Sequence, residues 1–140
     1  MASDVFIDTG GFYALLARDD DRHTAAADFM RRAGRRRRPL VTTDYVLDET
    51  ATLLEARGMG WLAARLFVIV FGSRALRVEW MDAERFEKTR TLFLQSVGRG
   101  WSFTDCASFV VMRELRLRDA LAKDVHFAEA GFVPILATGS

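Results

Sequence analysis

The stretch Asp4-Val-Phe-Ile-Asp8-Thr9-Gly10-Gly11 decides how the rest of the chain is read. Val5, Phe6 and Ile7 leave no polar face between two acids, which is the pattern of a strand covered on both sides, and Asp8 with the glycine pair ends it. Strands of that kind belong to parallel sheets between helices, so helices and short strands should alternate downstream. A helix is expected over Phe12–Arg18 and another from His23 to about Arg32, with Gly34 weakening or ending it. Pro39–Thr43 is the next strand, and Asp44 caps a helix running to Arg57 before Gly58. Trp61–Phe71 reads as a helix, Leu76–Trp80 as a third strand, and Asp82 caps a helix to about Val97. Ser102 or Thr104 caps a helix to about Leu115, a short strand covers Ala120–Ala122, and Phe132–Leu136 is an edge strand because it contains Pro134. The pattern specifies an α/β fold with a parallel sheet covered on both faces and right-handed crossovers, built as one domain over residues 1–140. In such sheets the site lies outside the carboxyl ends of the strands.

Four acids fall at or near that end. Asp8 ends the first strand, where a carboxylate loses solvation unless it is paired, binds a cation or caps the following helix. Glu49 interrupts an apolar stripe through Val46 and Leu53, while Asp48 lies further round; its bland reading is an acid at the stripe edge reaching solvent. Asp105, in Ser102-Phe-Thr-Asp105, also satisfies a capping box. Asp124 follows the weak fourth strand and by itself is a turn residue. At ~5 Å and an effective dielectric of ~20, each pair in such a cluster would repel by roughly 3 kcal/mol. A divalent cation removes that repulsion, and oxygen ligands favour Mg²⁺ or Mn²⁺ over zinc. His23 and His126 have no spaced partner and read as a surface residue and a local turn or packing residue.

Half of the 140 residues are apolar and 28% charged, a soluble globular composition. The longest apolar run, Leu66–Phe71, is far too short to span a bilayer, and no cleavable leader is visible, so a cytoplasmic protein with no membrane contact is expected. That run is also apolar all round. It is either a fully buried core helix or one partly covered by a partner. The single cysteine, Cys106, allows no internal disulfide and reads as a small buried hydrophobe. Twenty basic and 19 acidic residues nearly cancel, but six of the eight residues in Arg31–Arg38 are Arg, a local field able to hold phosphates or a solvated helix end.

Phe6-Ile-Asp-Thr9 with Phe12-Tyr-Ala-Leu15, Asp48-Glu49, Phe103-Thr-Asp105 and Asp124-Val-His-Phe127-Ala-Glu-Ala-Gly-Phe132 together resemble the PIN domain, most closely its VapC-type toxin ribonucleases. The resemblance runs from Asp4 to about Leu136 and rests on the ordered set of acids, since no single piece is specific. It implies a three-layer sandwich with a five-stranded parallel sheet, Mg²⁺- or Mn²⁺-dependent endoribonuclease activity, a homodimer, and an antitoxin partner. Asp8, Glu49, Asp105 and Asp124 match the family's catalytic, metal-holding quartet, and Thr104 its hydroxyl residue beside the third acid. Many relatives carry Thr or Ser two places before the fourth acid, where this chain has Ala122, followed by Lys123. On this reading the Arg cluster holds RNA backbone away from the cut, and Trp101 either stacks an unpaired base or packs in the core.

Two other enzyme classes share the parallel-sheet logic. A haloacid-dehalogenase-like phosphatase needs Asp-x-Asp after the first strand, where Gly10 stands here, and a receiver domain needs an acid pair there, where Thr9 follows Asp8. A non-catalytic PIN-like RNA-binding or scaffold module, or a PIN ribonuclease outside toxin–antitoxin systems, is the alternative within the resemblance. The intact quartet disfavours a scaffold.

Overall fold

The computed structural model describes residues 3–137; residues 1, 2 and 138–140, the two ends of the expected domain, lie outside it. Twelve elements follow one another: β1 Val5–Ile7, α1 Thr9–Leu16, α2 His23–Arg35, β2 Leu40–Thr43, α3 Asp44–Ala56, α4 Trp61–Gly72, β3 Leu76–Glu79, α5 Ala83–Gln95, α6 Phe103–Glu114, β4 Asp119–Leu121, α7 His126–Glu129 and β5 Val133–Pro134. The five strands form one parallel sheet in the order β3-β2-β1-β4-β5. Every residue of β1, β2 and β4 is buried, as consecutive apolar residues require when helices cover both faces. The chain builds outward from β1 through β2 to β3, then returns to β1's other side for β4. The order therefore reverses between β1 and β4, and Asp8 leaves the sheet at that point.

Several boundaries differ from the expectation for identifiable reasons. α1 starts at Thr9 and takes in Gly10 and Gly11, and a β-carbon on Gly11 would collide with the Leu121 carbonyl oxygen. The glycine is there so that helix and strand can touch. Gly34 does not end α2, which runs on to Arg35 with open space around that glycine. Thr43 rather than Asp44 caps α3, its hydroxyl accepting from the Val46 N–H at 3.1 Å, while Asp44 accepts from the Met81 N–H at 2.9 Å. Pro134 does lie in the edge strand β5. In α4, Leu62, Leu66 and Val70 are buried but Phe67, Val68, Ile69 and Phe71 are exposed, so it is not a fully buried core helix.

Four helices end in the same motif. The N–H of the second residue past the cap bonds back to the third-last helical carbonyl, and the residue before it adopts a left-handed backbone. Gly58 and Gly131 take that position after α3 and α7, at φ 75° and 98°. After α2 and α6 it is taken by Arg37 and Arg116, at φ 53° and 56°.

Candidate active site

An open cleft of about 450 Å³ at the carboxyl end of the sheet is lined by Asp8, Glu49, Asp105 and Asp124 together with Thr9, Lys123 and His126. All four acids singled out in the sequence thus meet in one place. Asp8 arrives there because β1 ends at Ile7 and α1 begins at Thr9; it occupies the N-cap position, yet its side chain makes no capping bond. Its Oδ1 is buried with no hydrogen-bond partner. Burial first, and then the nearby Asp105, Glu49 and Asp124 carboxylates, push its carboxyl up to about 8. An orphaned carboxylate at that depth is what a cation would satisfy, and the surrounding donors fit one.

Glu49 projects from the second turn of α3 and accepts a 2.6 Å hydrogen bond from the Thr9 hydroxyl, so α1 fixes its position. Asp48, beside it, is exposed. Asp105 serves two purposes at once. Its Oδ2 accepts from the Ser102 N–H at 3.0 Å while the Ser102 hydroxyl accepts from the Asp105 N–H at 3.0 Å, a complete capping box, and the same residue lines the cleft. Asp124 is held by its own turn, with Oδ1 accepting from the His126 N–H at 2.9 Å. That backbone bond supplies support which the buried, hydroxyl-free Ala122 cannot. Lys123 does not compete for Asp124: its ammonium donates to Asp20 at 2.5 Å and lies over the Tyr13 ring.

His126 is the residue that spacing missed. Its Nδ1 sits 3.1 Å from Asp105 Oδ2 and 3.2 Å from Asp124 Oδ2, bridging two acids that come from different elements. One donor atom each from Asp105, Asp124 and His126 lie within 4.8 Å of one another, a grouping able to hold a metal ion. The available signal was its position two residues after the fourth acid, where a short helix folds the ring back. Thr104 does not line the cleft; the hydroxyl that engages the acids is Thr9's. Trp101 is buried, donates to Glu129 at 2.9 Å and meets Phe109 edge-on, so it packs rather than presenting a stacking face. Cys106 is buried beneath the site, and burial followed by the Asp105 charge pushes its thiol up to about 11, which removes it as a nucleophile.

The family model of the PIN domain matches residues 5–133 of the chain. The chain belongs to the PIN domain family. It is 36% identical to the 23S rRNA-specific endonuclease VapC20 of Mycobacterium tuberculosis over 132 residues, which cover 94% of this chain and 97% of that one. It is 34% identical over 116 residues to a VapC ribonuclease of Archaeoglobus fulgidus, covering 80% of this chain and 72% of the relative. The crystal structure of the M. tuberculosis VapC20, described as a sarcin–ricin loop cleaving toxin, superposes with a TM-score of 0.81 at 34% identity, over 93% of this chain and 97% of that one. The PIN-like sandwich expected from the resemblance is therefore the observed fold. No helix among the described residues is long and apolar enough to cross a membrane.

Proposed function

We propose that this PIN domain is a divalent-metal-dependent endoribonuclease, the toxin of a toxin–antitoxin pair, that hydrolyses a phosphodiester bond in a folded RNA. The observation that carries the reading is Asp8: a buried carboxylate with an unpartnered oxygen, facing three further acids in one cleft. Asp8, Asp105 and Asp124 would hold the cation, with Glu49 beside them, and a carboxylate-dominated donor set favours Mg²⁺ or Mn²⁺. When bound, such a cation offsets the charge that builds on the phosphoryl oxygens in the transition state and makes water a better nucleophile. Glu49, oriented by Thr9, or Asp124 would accept the proton of the attacking water. Water adds to phosphorus in line, the opposite P–O bond breaks, and the leaving oxygen takes a proton from solvent water. His126 keeps Asp105 and Asp124 at fixed separation through its Nδ1 contacts, a role that outer ligands commonly play around metals.

The likeness to VapC20 makes 23S ribosomal RNA the first substrate to try. Incubation of the purified chain with that RNA and Mn²⁺ should yield one discrete pair of ends, abolished by EDTA. Intact RNA, or cleavage that persists in EDTA, would overturn the proposal. A homodimer and an antitoxin protein complete it, supported by the exposed apolar side of α4, where Phe67 and Phe71 stack on one another beside Val68. A Phe67→Glu or Phe71→Glu chain that stays folded and keeps both associations would remove α4 from that role.

A further inference from the structure

We propose that the amino end of the sheet, opposite the catalytic cleft, is a second RNA-binding surface that grips duplex phosphate backbone through two arginine-capped loops. The inference rests on the ribonuclease reading for its choice of RNA. Arg35 ends α2, Arg36 and Arg37 follow it in the loop before β2, and the loop before β4 carries Arg116 and Arg118, all exposed. β2 and β4 lie on either side of β1, and Arg38 joins their loops by donating to Asp119 at 2.9 Å. Arg74 enters the same end ahead of β3, where the Ala75 carbonyl accepts from the Leu40 N–H at 2.7 Å. Among the described residues Arg35, Arg36, Arg37, Arg74 and Arg116 make no ion pair, whereas Arg31, Arg32, Arg77 and Arg90 do. These five guanidinium groups without an ion pair therefore gather on one face, while others such as Arg65 and Arg99 lie singly elsewhere.

The backbone points the same way. Of four helices closed by the same left-handed cap, the two leading into the strands beside β1 carry Arg where the other two carry Gly. A side chain in that conformation is strained, so Gly would be cheaper for the fold. A cation near a helix C-terminus recovers an energy of similar size through the helix dipole, which leaves the choice of two arginines without a net structural reason. Arginine forks match phosphate oxygens, and a face so far from the acids can take backbone without delivering it to the cut. Strands of three or four residues separate the two ends by roughly 10–13 Å. One extended strand cannot fill both sites directly through the sheet; a folded RNA can, with an unpaired segment in the cleft and duplex against the arginines.

The test is binding of a short blunt RNA duplex, followed by fluorescence anisotropy in EDTA over a range of salt concentrations. Arg37→Gly/Arg116→Gly should fold with equal or higher melting temperature, bind the duplex about tenfold more weakly, and lower the slope of log K against log salt by about 2. Arg35→Gln/Arg36→Gln, which leaves both caps intact, should lower it likewise. Arg65→Gln/Arg90→Gln removes the same charge from other faces and should keep the wild-type slope. An unchanged slope in the first two variants, an equal loss in the third, or displacement of the duplex by polyglutamate at equal charge would each overturn the proposal. Cutting of 23S ribosomal RNA in Mn²⁺ separates this from the parent reading. Wild-type protein that binds duplex through these arginines yet cuts nothing ends the ribonuclease reading alone, and protein that cuts while ignoring the arginines ends this one alone.

Discussion

Asp8 and Asp119 sit at opposite ends of the sheet, 5% and 7% exposed, and their surroundings treat them in opposite ways. Asp119 opens β4 with Arg38 on one oxygen and Arg118 on the other, and despite burial the two guanidinium groups hold its carboxyl below the usual range. Asp8 closes β1 with no ion pair among the described residues, and burial followed by the neighbouring carboxylates pushes it far up. A buried carboxylate that serves the fold is given its counter-charge by the chain, while one that serves chemistry is left wanting a charge from outside. With the proposed function, the contrast puts the fold's own charge pairing at the amino end and the cleavage chemistry at the carboxyl end.

The strongest way to break that division is Asp8→Asn or Asp105→Asn. Each should lower RNA cleavage by roughly 100- to 1,000-fold with the circular dichroism spectrum unchanged; near-wild-type cleavage would remove that acid from the metal set. Next, Mn²⁺ at ~100 times its dissociation constant should add about 2.7 kcal/mol of stability, a rise of several degrees in melting temperature, and Asp105→Asn should shrink that rise. An undiminished rise would leave Asp105 as a capping residue only. Asp119→Asn should do the reverse of Asp8→Asn, costing about 1–3 kcal/mol in urea denaturation by stranding Arg38 while cleavage stays intact. Loss of activity in a folded Asp119→Asn chain would contradict the separation.

The last way to test the comparison concerns pH in metal-free protein. Folded Asp8 keeps its proton to about pH 8, whereas in the unfolded chain it lets go near pH 4, so the native state binds more protons throughout that window. Its contribution to stability must fall as pH rises from about 4 to about 8. Asp119, held low, contributes the opposite slope, losing stability as pH drops through the carboxylate range. Melting temperatures measured in EDTA should show Asp8→Asn gaining progressively on the wild type between pH 5 and 8. Parallel curves would mean that Asp8 is not proton-bound there.

The four acids were legible because each lies at a boundary the pattern makes visible: the end of an all-apolar triplet, a break in a helical stripe, the third position of a cap, and the turn after a strand. What escaped depended on contacts between distant segments. Thr43 and Asp44 are equal candidates for a cap by type; Met81, 37 residues away, claims Asp44 and leaves Thr43 to α3. His126 looks isolated because Asp105, 21 residues away at the start of α6, reaches it only through the fold, to join Asp124 of its own turn. The Arg31–Arg38 run looked like one cluster, yet Arg31 and Arg32 are spent on Asp28 and Arg38 on Asp119, and only the middle of it is free.

Gly11 and Gly34 look alike to anyone seeking to toughen this protein, since replacing helical glycine with alanine is a standard stabilising edit. Gly34 has open space and would accept the methyl. At Gly11 the methyl would collide with the Leu121 carbonyl, the same oxygen that accepts from the Asp8 N–H at 3.2 Å. The edit would pry α1 from β4 at the hinge that aims Asp8 and Thr9. A redesign scored on helix propensity alone would therefore dismantle the cleft through a residue bearing no functional group.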